Sequence, residues 1–190
     1  MSLLFLRPFI LYSSLRWMTC QSWGFPRWPG FDGLFRFLVV LILWSMLLEI
    51  HYIPSSSMYP TLRVGDRILV EKASYYIRNP AIDDIITFRD PTQQSGRREE
   101  NIVVKRVVAT SGDMVEVCEG CLYVNGIAQK ENFLADQPTY TTKSTQVPEG
   151  HVYVLGDNRN NSYDSHIWGP LPIKNIVGRY LWSCHKPTSK

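Results

Sequence analysis

From Leu34 to Ile53 the chain is apolar apart from Arg36, Ser45, Glu49, His51 and Tyr52, and the run Phe37–Leu48 contains no polar residue except Ser45. No polar face recurs at helical spacing, so the pattern predicts a helix apolar on all sides, about 30 Å long if twenty residues are helical, which matches the hydrocarbon thickness of a bilayer. Beyond Pro54 the period changes. Arg67–Glu71, Ile85–Phe88, Ile102–Val108 and His151–Leu155 are short runs rich in β-branched and aromatic residues and read as strands. Gly65-Asp66, Ser111-Gly112-Asp113 and Gly156-Asp157-Asn158 mark turns between them. Val115–Cys118, Glu119-Gly120 and Cys121–Val124 read as a hairpin with a two-residue turn. Gln93–Asn101 and Asn132–Glu149 are polar and read as exposed loops. No long helical period and no internal repeat occurs after Pro54. The expected architecture is mainly β: a leader over 1–33, a single transmembrane anchor over 34–53 and a β domain over 54–190.

A removable secretory signal is the competing account of the apolar run. Against it, the run begins late and no small-x-small cleavage site follows it; Ile53-Pro54 is a poor candidate. The first thirty residues hold no Asp or Glu and are rich in Arg, Ser and Trp. Organelle import presequences have this composition, and so does an ordinary tail ahead of an anchor; both accounts stay open. Residues 1–36 carry Arg7, Arg16, Arg27 and Arg36 against Asp32, whereas residues 37–190 are balanced in charge. The net charge of +3 therefore belongs to residues 1–36, and the β domain has no basic stripe that would suit nucleic acid. The same asymmetry retains the N-terminus and sends the β domain across the membrane. A hydrophobic share of 45% excludes a disordered chain, and four cysteines are too few for a disulfide scaffold.

Two features carry possible chemistry. Pro54-Ser55-Ser56-Ser57-Met58-Tyr59-Pro60-Thr61-Leu62 has the composition of a linker or turn. Lys105 interrupts an otherwise apolar strand, where a lysine ordinarily points outward from a sheet edge. A lysine enclosed by apolar neighbours would instead lose solvation and shed its proton more readily. Such a neutral amine could take the proton of a serine hydroxyl, which is too weak an acid to attack a peptide carbonyl unaided.

The serine segment, then Lys105-Arg106-Val107-Val108 with Gly112-Asp113, then Gly156-Asp157-Asn158-Arg159-Asn160-Asn161-Ser162-Tyr163-Asp164-Ser165 follow the apolar run in that order. This closely resembles type I signal peptidases, the membrane-bound Ser–Lys peptidases of family S26, from the anchor to about Arg179. The resemblance implies a signal-peptidase-like antiparallel β-sheet catalytic domain. It also implies that Ser57 is the nucleophile and Lys105 the general base. The Ser57 backbone N–H and the Ser55 hydroxyl would stabilise the oxyanion, and Ser162 would hydrogen-bond and orient the lysine. Asp157, Arg159 and Asp164 would brace the site. Where bacterial members commonly carry arginine after Asp164-Ser165, this chain has His166, so a permanent Asp164–arginine ion pair is not available.

Other chemistries fit less well. No G-x-S-x-G elbow accompanies His51, His151, His166 or His185, and Cys118-x-x-Cys121 has no second pair at metal-binding spacing. No metal or cofactor is implied. Cys118 and Cys121 face each other across the proposed turn, and a disulfide, two free thiols or a pairing with Cys184 all remain open. Asn160-Asn161-Ser162 fits a glycosylation sequon, but a glycan there would obstruct the lysine-orienting serine. The expected activity is removal of N-terminal targeting peptides with small residues at −1 and −3, from proteins crossing a membrane. The alternatives are an inactive membrane-anchored β module and a soluble self-cleaving Ser–Lys regulator. The leader, the Lys-type dyad and His166 together resemble plastid members. They point to a thylakoid membrane with the catalytic domain in the lumen, the mitochondrial inner membrane being the alternative. The expected partners are preproteins and the lipid bilayer, with no nucleic acid.

Overall fold

A computed structural model describes residues 31–92 and 102–185. The loop expected over 93–101 and the leader up to residue 30 lie outside the described residues. A helix, α1, runs from Phe31 to Leu47, and the chain divides into two compact units between Val40 and Leu41. Along α1, Leu34, Phe35, Phe37, Ile42 and Trp44 are all exposed.

The structure corrects the end of the apolar run. Leu48–Tyr52 is not helical; it is strand β1, paired antiparallel with β2 (Arg67–Glu71) from Leu48 opposite Glu71 to Tyr52 opposite Arg67. Glu49-Ile50-His51-Tyr52 alternates polar and apolar residues, the period of a strand, and its backbone groups are taken up by the β2 ladder. Glu49 pairs with Lys72, the residue after β2. With the helix cut to 17 residues, no helix among the described residues is long and apolar enough to cross a membrane.

The second unit is built on two sheets. β3 (Ile85–Arg89), β4 (Ile102–Ala109), β9 (His151–Leu155), β10 (Leu171–Pro172) and β11 (Ile176–Cys184) join β1 and β2 in the order β1-β2-β11-β3-β4-β9-β10. β5 (Met114–Cys118), β6 (Cys121–Val124), β7 (Ile127–Ala128) and β8 (Thr145–Gln146) form a second sheet in the order β7-β6-β5-β8. Two four-residue helices, α2 (Ser74–Ile77) and α3 (Ser165–Trp168), complete it. Glu119 and Gly120 both have positive φ, 49° and 76°, as a two-residue hairpin turn demands. Cys118 and Cys121 are register partners across this turn, and both are free thiols, as is Cys184.

β4 matters most for function. It lies in the interior of the large sheet, between β3 and β9, and Val104 to Ala109 are all buried. Val104 joins Ile53, Met58, Leu62, Ile68, Val70 and Ile85 in one apolar cluster, while Val107 packs with Ile86, Phe88, Val152, Val154 and Leu171 in another. The edge position that would let Lys105 point into water is therefore absent.

Candidate functional site

The serine segment is held too firmly to be a linker. Ile53, Met58 and Leu62 are all buried in the same cluster, so the chain is pinned before, within and after the serine run. The Ile53 amide donates to the Asp66 carbonyl at 3.0 Å, and the Leu62 amide to the Met58 carbonyl at 2.9 Å. Ser57 sits between these anchors. Its carbonyl accepts from the Asn158 amide at 3.0 Å, which ties the segment to the turn after β9. Asn158 Nδ2 donates to the Ser56 carbonyl at 3.1 Å, and Asn161 Nδ2 to Ser56 Oγ at 3.0 Å.

Lys105 comes to this segment from β4. Its side-chain amine donates to Ser57 Oγ at 2.6 Å, and the residue is only 2% exposed. Burial strips water from the ammonium and lowers its pKa to about 8, against the opposing pull of Asp164 and Asp157. Ser55 Oγ lies 3.2 Å from Ser57 Oγ and is exposed, so the open side of the serine carries a second hydroxyl.

The remaining expected residues converge on the same place with a different wiring. Ser162 does not bond Lys105; its hydroxyl donates to Asp164 Oδ2 at 2.5 Å. Asp164 is fully buried and also accepts from the Gly156 amide at 2.9 Å. Where the sequence offered no arginine for Asp164, His166 Nδ1 stands 2.7 Å from Oδ1. Arg159 is turned away from Asp164: it makes a two-pronged ion pair with Glu131, and its Nε donates to the Gly156 carbonyl at 3.1 Å. Asp157 is engaged by Arg106, Nε to Oδ1 at 2.9 Å and Nη2 to Oδ2 at 2.6 Å, and by the Thr61 hydroxyl at 2.5 Å. Asn160 Oδ1 accepts from the Thr139 amide and hydroxyl, and its Nδ2 donates to the Gln137 carbonyl at 2.9 Å.

Arg106, Glu131 and Thr61 are the members that sequence reasoning missed. Arg106 had a usable signal: a second cation beside Lys105 in an apolar strand must find a buried acid or remain unpaired at large cost. Glu131 and Thr61 had none, because each partner is far away in sequence. Among the described residues no group of three or more His, Cys, Asp or Glu could hold a metal.

Gly156 is where the turn touches the serine. A Cβ there would stand 2.3 Å from Ser162 Oγ and 2.5 Å from the Ser57 carbonyl oxygen, both inside van der Waals contact. Gly156→Ala is expected to lower stability by about 1–3 kcal/mol by overpacking and to displace Ser57 from Lys105. Gly178→Ala is the control: its Cβ would meet Val70 and the Glu71 carbonyl at 2.6 and 2.7 Å, in β11 against β2. Thermal denaturation should show both variants destabilised, while the rate constant of a serine-directed acylating probe should fall selectively for Gly156→Ala. Equal fractional losses of labelling in the two variants would refute a contact specific to Ser57.

The site thus sets a serine hydroxyl against the amine of a buried lysine on a β framework. Comparison with known proteins narrows this. The family described as signal peptidase, peptidase S26, matches residues 33–184, and the chain belongs to that family. Probable thylakoidal processing peptidase 2, chloroplastic, of Arabidopsis thaliana is 49% identical over 152 residues, covering 79% of this chain and 41% of that protein. Thylakoidal processing peptidase 1, chloroplastic, of the same plant is 47% identical over 155 residues, covering 79% and 46%. Probable signal peptidase I-1 of Synechocystis sp. is 44% identical over 147 residues, covering 76% and 75%. The chain thus spans less than half the length of the two thylakoidal relatives. Among solved structures, a signal peptidase I of Enterococcus faecalis aligns at 31% identity with a TM-score of 0.44, covering 54% of this chain and 97% of that one.

Proposed function

We propose that this chain is a membrane-bound serine endopeptidase that removes N-terminal targeting peptides from translocated proteins, with Ser57 as nucleophile and Lys105 as general base. The observation that carries this reading is the 2.6 Å contact between Ser57 Oγ and the amine of a lysine that is 2% exposed. Neutral Lys105 takes the Ser57 proton as Oγ attacks the scissile carbonyl. The tetrahedral oxyanion is received by the Ser57 N–H and the Ser55 hydroxyl, donors of a kind that typically contribute about 3 kcal/mol each. The protonated lysine then gives its proton to the departing amine. Water, deprotonated by the same amine, hydrolyses the acyl-serine and regenerates the hydroxyl. Membrane attachment is assigned to the exposed apolar helix α1, and the substrate class, with small residues at −1 and −3, follows the family. The similarity to thylakoidal processing peptidases supports a thylakoid membrane, with the β domain on the lumenal side.

The test is incubation of the detergent-solubilised full chain with a thylakoid-lumen preprotein, beside a Ser57→Ala control. Cleavage at one site by wild type and none by the control is expected; uncleaved preprotein in both would overturn the reading. Because the neutral amine is the active form and burial lowers its pKa to about 8, kcat/KM should rise with pH through that region and then level. A rise only above about pH 10 would mark an unperturbed, solvated lysine. Carbonate extraction of membranes should leave the chain in the pellet, and its release would refute the assignment of α1 as anchor.

A further inference from the structure

Asp164 has two oxygens with separate duties. Oδ2 holds the site, through the Ser162 hydroxyl at 2.5 Å and the Gly156 amide at 2.9 Å. Oδ1 belongs to His166, whose backbone amide is at 3.2 Å and whose ring Nδ1 is at 2.7 Å. A carboxylate offers only acceptors, so Nδ1 is the donor. The imidazole is fixed on its face as well, by the Tyr140 ring stacked at 4.2 Å and 16°.

Two acids act electrostatically on Lys105, and they are compensated differently. Asp157 is already paired with Arg106, a permanent cation. The ion-pair partner of Asp164 among the described residues is His166 alone, and Arg159 is committed to Glu131. We propose that His166 is a positioning residue for the Ser57–Lys105 pair: it clamps Asp164, and its charge sets the field that this carboxylate presents to the lysine. The inference rests on the Ser–Lys reading of the preceding subsection.

The sign follows from elementary electrostatics. A bare Asp164 carboxylate favours the ammonium form of Lys105; a cation on Oδ1 offsets that field and favours the neutral amine. Charge at position 166 therefore moves the pH at which Lys105 becomes a base. The groups facing His166 are Asp164 on its own turn, Tyr140 on the flanking loop, and Tyr153 of β9 and Lys143, which line the adjoining cavity of about 390 Å³. Arg159 and Glu131 also act electrostatically on Tyr140. Those facing Lys105 are Ser57, Asp157 and Asp164.

The experiment compares His166→Arg, which keeps a charge at every pH, with His166→Gln, which keeps a hydrogen-bonding group without one. In the full chain carrying Ser57→Ala, the Lys105 titration is followed by NMR of ¹³C-labelled lysine. In the chain with Ser57 intact, the pH profile of kcat/KM is measured. The arginine variant is expected to show a Lys105 midpoint lower than the glutamine variant by roughly half to one pH unit, with the kinetic profile displaced the same way. In an Asp164→Asn background both midpoints should lie lower, since the acid that favours the ammonium form is gone. His166→Lys, a slimmer cation, replaces the arginine variant if that chain fails to fold against Tyr140. Coincident midpoints would overturn the role of His166 and leave the dyad standing. Cleavage surviving in Ser57→Ala would overturn the dyad itself, and the two failures are thus separable.

Discussion

Lys105→Met is expected to abolish cleavage and at the same time to make the folded protein more stable near neutral pH. Both effects come from one fact, a lysine 2% exposed whose ammonium has been stripped of water. Its pKa is lowered to about 8 by burial, with Asp164 and Asp157 acting in the other direction. In the unfolded chain the same amine titrates near 10.4. Between about pH 8 and pH 10.4 the unfolded state binds more protons, so wild-type stability rises with pH across that window. Below it the folded state bears the whole cost of a buried charge. Methionine fills a similar volume and has no charge to bury, so the substitution should add up to about 3 kcal/mol at pH 7 and progressively less toward pH 10. Removing the base should cost roughly three to five orders of magnitude in rate, and Ser57→Ala as much. The double variant should be no slower than either single one, because the two groups act as a unit. Lys105→Arg should fail as well, since guanidinium keeps its proton in proteins. Thermal denaturation at pH 7 and pH 10, with cleavage assayed in parallel, checks both halves. A methionine variant less stable than wild type at pH 7 would show that the lysine is better solvated than its burial implies.

The sequence made the body of this fold readable wherever side chains alternate or cluster over four or more residues. β2 and β9 fall on the runs that predict them, and the Glu119-Gly120 turn has the two positive φ angles that its residues invite. β1 was hidden because Leu48-Glu49-Ile50-His51-Tyr52 continues an apolar run, and the partner that makes it a strand lies fifteen or more residues later in β2. β11 was hidden for a related reason. Gly178 and Arg179 break the apolar pattern, yet glycine is what lets β11 lie against the Val70 side chain and the Glu71 carbonyl. The members of the site were legible, while their wiring was not. Motif order places Ser57, Lys105 and Ser162 in one functional group. It cannot say that Ser162 turns to Asp164, or that Arg159 answers Glu131 across 28 positions of sequence. Those choices are made in three dimensions, by which buried charge is nearest and still unpaired.

Asp157→Ala is expected to be the most destabilising single change near the site. The carboxylate is fully buried and receives two prongs of the Arg106 guanidinium at 2.9 and 2.6 Å and the Thr61 hydroxyl at 2.5 Å. The guanidinium also lies over the Phe133 ring, with Cζ 4.0 Å from its centroid. Truncating the acid strips a buried cation of its hydrogen-bonded counter-charge, with Asp83 and Glu131 left to act on it electrostatically, at a cost of about 3–5 kcal/mol. Replacing both partners by apolar residues, Arg106→Met with Asp157→Leu, removes the charge problem together with the bond. The double variant should therefore lie well above the sum of the single losses, and a denaturant titration of all four proteins yields the coupling directly. Activity should tell a different story from stability. Asp157 is one of the two acids that favour protonated Lys105, so in whatever fraction of Asp157→Ala remains folded the activity should set in at lower pH than in wild type. In the double variant the cation that offsets Asp157 is gone together with the acid, so the shift should be smaller than in Asp157→Ala even as stability returns. Additive stability losses would show that Asp157 and Arg106 are not coupled, and an unshifted pH profile in Asp157→Ala would show that Asp157 has no hold on the lysine.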